Sequence, residues 1–323
     1  MAFDLVKFNR QVYTATTELV DQQVEAFNAA SRGALVLAPS AENRGDFSME
    51  ASFKQIANLV RRRDVNNGTG SVTPSRLQQL KKVSVKVAGG TPPIVFEPAQ
   101  YRWILDSPAR AADIIAQQLS KAMIQDMVNV ALRGLVAAFT GNSAVTHNIT
   151  TATTKTPSLS SLTAASAKFG DRASSIAAWV MHSVSMNNLW QNALANSNQL
   201  FNFGNVAVRE DQFGRVYVVT DSPSLVKMNE STANYSTLGL VTGAALVEPN
   251  NDFDATMVDE TGKENIQRTY QAEWSYNLGI HGYSWNDTDG GSSPNDTALG
   301  TATNWPKLST SNKDTAGVML VSE

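Results

Sequence analysis

The 323-residue chain carries 26 basic and 29 acidic residues, a net charge of −3, and 42% hydrophobic residues, enough to bury the core of one large or two ordinary domains. A slightly acidic whole excludes a surface built throughout for nucleic acid. The absence of cysteine excludes disulfides, thiolate catalysis and every cysteine-based metal site.

The N-terminus, MAFDLVKFNR, has Asp4 where a signal peptide has a basic start, and the longest apolar runs fall well short of the roughly 20 residues of a membrane helix. An intracellular chain without membrane contact is expected, and its six Asn-x-Ser/Thr triplets are read as a by-product of composition. Residues 11–30 place Val12, Thr16, Leu19, Gln23/Val24 and Phe27 at helical intervals, which predicts an amphipathic helix broken by Gly33, Pro39 and Gly45.

Residues 59–87, LVRRRDVNNGTGSVTPSRLQQLKKVSVKV, concentrate positive charge. Arg61, Arg62, Arg63, Arg76, Lys81, Lys82 and Lys86 face Asp64 alone, a net +6 that leaves −9 on the rest of the chain. NNGTGSVTP is turn chemistry, and Val83, Val85 and Val87 alternate with Ser84 and Lys86 as in a strand with one apolar face. Two arms around a turn-rich tip predict a long hairpin, which cannot bury both faces by itself.

The stretch DSPARAADIIAQQLSKAMIQDMVNVALRGLVAAFTGN (106–142) opens on Asp106 or Ser107 as N-cap with Pro108 at the first helical position, and closes at Gly141. Ala111, Ile114/Ile115, Leu119, Ala122/Met123, Val130/Ala131, Leu135 and Phe139 keep one face, and Gly134 is a weak point. At 1.5 Å per residue the helix is about 50 Å long and needs a sheet or a neighbour to lie on.

The Thr/Ser tract 140–161 marks a candidate domain boundary. Beyond it SLTAASAKFG reads as a helix ending at Gly170, SIAAWVM (175–181) as a buried strand, SMNNLWQNALAN as a helix capped by Ser185, and RVYVVTDSP (215–223) as a strand and turn, together a compact α/β unit. From 235 the pattern is of strands, then a tail rich in Asp, Asn, Gly and Ser that ends on GVMLVS.

No catalytic, cofactor or metal site emerges. His147, His182 and His281 lack ligand spacing, GTGSVT (68–73) lacks the third glycine of a dinucleotide loop, and NDTDGG (286–291) lacks the bidentate Glu of a calcium loop. The basic stretch 59–87 holds no aromatic residue for base stacking, which weakens a nucleic-acid reading. Residues 248–323 hold twelve acids against four bases, so a basic hairpin and an acidic C-terminal region in one chain suit contact between copies. A carbohydrate-binding platform is the rival of a different kind; the six tryptophans do not cluster along the chain.

The order of parts and several local words resemble the major capsid protein of tailed bacteriophages. LTAASAKFGDRASSIAAWVMHSVSMNNLWQNAL (162–194), with VMHS its most specific letters, is similar to the opening of that family's axial domain. DQFGRVYVVTDSP, TLGLVTGAALVE and WSYNLGIHGYSWN resemble its later strands; the likeness spans about 45–290.

The resemblance implies an α+β tailed-phage major capsid fold: an N-terminal arm (1–44), an extended hairpin loop (45–95), a peripheral domain (96–155 and 253–290) with a spine helix at 108–140, an α/β axial domain (156–252) and a C-terminal tail (291–323). It implies a structural, non-enzymatic subunit that forms hexamers and pentamers of an icosahedral head around double-stranded DNA, read without base specificity. Such a head is made in the host cytoplasm, with scaffold, portal and decoration proteins as partners. Arg61, Arg62, Arg63, Arg76, Lys81, Lys82 and Lys86 would be the inter-subunit contact of the extended loop. A bacterial nanocompartment shell of the same fold is the alternative.

Overall fold

Residues Leu5–Ala30 form helix α1, whose Phe8, Val12, Thr16, Val20, Val24 and Phe27 are buried. The core position after Thr16 is Val20 rather than Leu19, because the buried stripe advances by four residues at nearly every step and drifts around the helix. The chain continues through strands β1 (Leu35–Leu37), β2 (Phe47–Phe53), β3 (Gln79–Gly90) and β4 (Ile94–Phe96) to helix α2 (Pro108–Thr140). After strand β5 (Thr146–Asn148) and helix α3 (Leu159–Ser166) come β6 (Ile176–Met181), helix α4 (Ser183–Asn192), β7 (Asn198–Phe203), β8 (Val206–Glu210) and β9 (Val216–Thr220). β10 (Val226–Asn229), β11 (Thr232–Val241), β12 (Ala245–Pro249), β13 (Asp254–Glu260) and β14 (Gln267–Ile280) follow, then short helices α5 (Asp287–Gly290) and α6 (Asp296–Leu299) and a last strand, β15 (Gly317–Ser322). This computed structural model describes residues 5–38, 45–53, 60–62, 65–66, 68, 71–74, 76, 79–97, 102, 107–192, 198–203, 206–210, 216–229, 232–262 and 264–323.

Two sheets organise these strands. The first runs β1-β12-β14-β3-β2, with β13 and β4 flanking the far half of β14. The second runs β5-β15-β11-β6-β9-β8-β7, with β10 on β11. α2 lies between them and touches β12 and β14 of the first and β15 of the second, while α1 packs along it. Its N-terminal half is amphipathic, but from Met127 to Phe139 the helix is buried almost all round. Gly134 is therefore no weak point: a Cβ there would stand 2.9 Å from Ile280, 3.2 Å from Leu278 and 3.3 Å from Trp305, so glycine allows this close approach. By length and composition α2 can cross a membrane, contrary to the expectation from the sequence, yet 67% of its most apolar window is buried inside this fold. The apolarity serves the core.

Several expectations change. The segment expected as an N-terminal arm contributes α1 to the core and β1 as a parallel partner of β12. The segment expected as a C-terminal tail supplies β15, paired in parallel with β5 and antiparallel with β11. GVMLVS is buried on both faces, which an apolar run achieves only inside a sheet. β12, assigned by sequence to the axial unit, belongs to the first sheet.

Within the α/β unit, β6 and β9 pair in parallel and α4 follows β6. α3 starts at a reciprocal Ser158–Ser161 capping box and stops at Ser166, short of Gly170, whose φ of +60° lies inside the following 3-10 turn. α4 begins two residues before Ser185, whose hydroxyl is buried in the first turn. Met186 and Leu189 are buried as expected; Ala193 and Leu194 lie outside the described residues.

Candidate assembly interface

The hairpin is built on the alternation of Val83, Val85 and Val87, which buries one face of β3. Its upper part is held on both sides. Val85–Gly90 pairs with Leu278–Glu273 of β14, and β2 pairs along Val85–Gln79 from Phe47 to Phe53. One last clamp sits at Val83, whose N–H donates to Ser284 Oγ at 3.0 Å and whose carbonyl accepts from Trp285 N–H at 3.0 Å. Below it, residues 79–82 and 50–53 continue as a two-stranded ribbon that leaves the sheet.

The structure divides the seven basic residues expected to act together. Lys81 pairs with Asp287 of α5 at 3.3 Å, Lys82 with Glu50 directly opposite on β2 at 3.3 Å, and Lys86 with Asp252 at 3.4 Å. All three pairs are partly solvent-exposed, so each is worth about 0–1 kcal/mol and serves to staple the root of the hairpin. Partial burial raises the Asp252 carboxyl, but hydrogen bonds from the Ser275 hydroxyl and amide, together with Lys86, hold it below the usual carboxylate range.

Arg61, Arg62 and Arg76 are exposed on the distal part and pair with no acid among the described residues; Arg63 lies outside them. Beside the arginines stand side chains that charge counting missed. Val60 is 87% exposed, Val65 78% and Val72 50%, so the tip is aliphatic as well as cationic. Valines set among turn residues, outside any alternating or helical period, were the available sign.

No three His, Asp or Glu side chains among the described residues gather closely enough to hold a metal ion. His182 Nε2 lies 3.6 Å from Asp221 at the end of β6, its ring beside Tyr235 and its Nδ1 accepting from the Val184 N–H.

A sequence model of the Gp13-like family, described as major capsid protein 13-like, matches residues 4–319. The chain belongs to this family. It is a structural capsid subunit of a phage, and the nanocompartment alternative is not favoured. The capsid asymmetric unit of cyanophage Pam1 has the same fold, with a TM-score of 0.51 at 9% identity over 90% of this chain and 89% of that one. A chain from Mycobacterium phage Cain gives 0.50 at 9% identity over 91% and 89%. These likenesses establish a tailed-phage capsid fold and carry no side-chain role across. No curated protein matches the capsid subunit in sequence. As a member of a capsid family it resides in the virion shell and acts as an oligomer.

Proposed function

We propose that this subunit assembles into the hexamers and pentamers of a closed icosahedral head around double-stranded DNA, in the host cytoplasm, without enzymatic activity. Scaffold, portal and decoration proteins are its partners in this reading. The hairpin (45–95) laps over the neighbouring subunit. The peripheral domain (96–155 and 253–290), with its spine at 108–140 and β12 in its sheet, and the axial domain (156–252 apart from β12) form the body of the tile. Arg61, Arg62, Arg63 and Arg76 make the contact, while Lys81, Lys82 and Lys86 set the angle at which the hairpin leaves the body. The observation that carries this reading is the hairpin itself: its ribbon leaves the sheet, and the segment it bears holds exposed arginines that pair with no acid among the described residues and valines 50–87% exposed. Such a ribbon gains stability when a neighbour covers it, and many weak contacts suffice in a closed lattice.

Replacing Arg61, Arg62 and Arg63 together with Glu is the test. A soluble, folded subunit that no longer forms shells is expected. Normal shells from the triple variant would remove the lapping contact from the account.

A further inference from the structure

Among the described residues a groove stays open between α1, α2 and β14, with a cavity of about 280 Å³. Two helical periods build it. Tyr13, Thr17 and Asp21 stand one turn apart on α1, and Met123 and Met127 one turn apart on α2, so each set lines the space between the helices. Phe253 and Trp274 close one wall: their rings stack at 6.3 Å and 12°, and Tyr13 leans on Phe253 at 5.5 Å. The Tyr13 hydroxyl donates to Asn251 Oδ1 at 3.1 Å, which holds the ring at that end.

Two carboxylates line the groove, and no basic side chain does. Asp252 is already satisfied: it accepts from the Ser275 amide and hydroxyl and pairs with Lys86 at 3.4 Å. Asp21 is not. It has no cation beside it among the described residues, and burial pushes its carboxyl up. Asp21 follows Tyr13 by eight positions, roughly 12 Å at the helical rise. The groove therefore offers an aromatic wall at one end, Val20 and two methionines along its length, and an uncompensated carboxylate at the other end.

Each part of this lining selects for the same chemistry. Apolar and aromatic surface gains by covering a hydrocarbon body. The faces of aromatic rings attract a cation within about 6 Å. A carboxylate held partly out of water gains from a cation beside it, whereas an anion is repelled and a neutral molecule only desolvates it further. We propose that the groove is a binding site for a small amphipathic organic cation, an ammonium on an apolar body about 10 Å long, with the body against the methionines and the aromatic wall and the ammonium on Asp21. Bound there, the cation bridges α1, α2 and β14. The site uses none of the hairpin's contacts, so its test stands apart from that of the assembly reading.

Isothermal titration of the purified full-length protein with 4-phenylbutylammonium, beside its neutral counterpart 4-phenylbutan-1-ol, is the test. One saturable site per chain is expected, with the ammonium bound about five- to tenfold more tightly than the alcohol. Asp21→Asn is expected to weaken the ammonium alone and bring the two probes within about twofold of each other. Asp113→Asn, which removes an exposed acid of α2 outside the groove, is expected to change neither. Thr17→Phe, which fills the groove from α1, is expected to abolish binding of both. Equal affinity for the two probes, or a preference for the ammonium that survives Asp21→Asn, overturns the cation site. So does the absence of saturable binding, or binding that persists in Thr17→Phe. Asp21 is solvent-exposed and its substitution leaves the core intact, so Asp21→Asn decides the matter even where Thr17→Phe fails to fold.

Discussion

The spine helix and the basic hairpin treat solvent in opposite ways. α2 spans Pro108–Thr140 and buries Met127, Val128, Ala131, Leu132, Leu135, Ala138 and Phe139 at 2% exposure or less, with α1 along it and both sheets in contact. The ribbon below Val83 is the β2–β3 pair alone, tied to the body at Lys81, whose side chain meets Asp287 and whose carbonyl accepts from Ser284 Oγ. The contrast teaches a division of labour. A capsid subunit must be rigid before it meets its neighbours and adhesive only where they meet, so stability is concentrated around the helix and association is reserved for the hairpin. Substitutions near α2 should then change folding, and substitutions in the ribbon should change assembly at constant folding.

The largest effect on folding is expected at the aromatic pair beneath the C-terminal segment. Trp285 and Trp305 meet edge to face at 4.9 Å and 67°, and Trp305 Nε1 donates to the Leu299 carbonyl at 2.9 Å. Trp305→Ala should cost about 3–5 kcal/mol in urea unfolding of the dissociated subunit.

Next comes Asp126 on α2, whose carboxylate accepts a hydrogen bond from the Tyr276 hydroxyl of β14. Burial pushes the Asp126 carboxyl up, against the Tyr276 hydrogen bond that lowers it, and Arg133 beside it is engaged with Asp296 at 2.6 Å. Asp126→Ala strands the buried Tyr276 hydroxyl and should cost about 1–3 kcal/mol. Asp126→Asn keeps an acceptor without a charge and should be neutral or mildly stabilising at pH 7. A carboxyl raised by folding favours its protonated form in the native state, so its contribution falls as pH rises through the folded value.

Asp252 has the opposite sign. Its carboxyl is held below the usual range, so it contributes stability above about pH 4 that is lost as pH falls through the folded value. Asp252→Asn should flatten the acid limb of a stability–pH profile and leave the neutral limb shifted only by a constant.

The smallest folding effect is expected in the hairpin root. Lys81→Ala and Lys82→Ala each remove one exposed pair and should cost at most about 1 kcal/mol, with shells still forming. If these lysine variants abolish shells while the arginine variants do not, the separation of root from tip is wrong.

Much of this contrast is local and therefore readable from the chain alone. Pro108 and Gly141 bracket α2, and the alternation of Val83, Val85 and Val87 marks β3. What escaped sequence reasoning is pairing across long separations. GVMLVS looks like a frayed end until β5 and β11, 173 and 85 residues upstream in register at Val321↔Asn148 and Ser236↔Val321, pair with it on either side; those separations follow from subtracting the paired positions. The twelve C-terminal acids looked uniformly available, yet Asp252 and Asp287 are held by lysines of the same chain. The groove is invisible for the same reason: Tyr13, Met123, Phe253 and Trp274 share no sequence neighbourhood.

The most direct test of the central claim is electron microscopy of the purified subunit beside its Arg61→Glu/Arg62→Glu/Arg63→Glu variant, after size-exclusion chromatography at low and high salt. The account predicts closed shells or rings of five and six from the native chain, weakened by salt as screening reduces the charge contacts, and only small folded species from the variant. Shells of equal yield and size from both chains, at either salt, would contradict it.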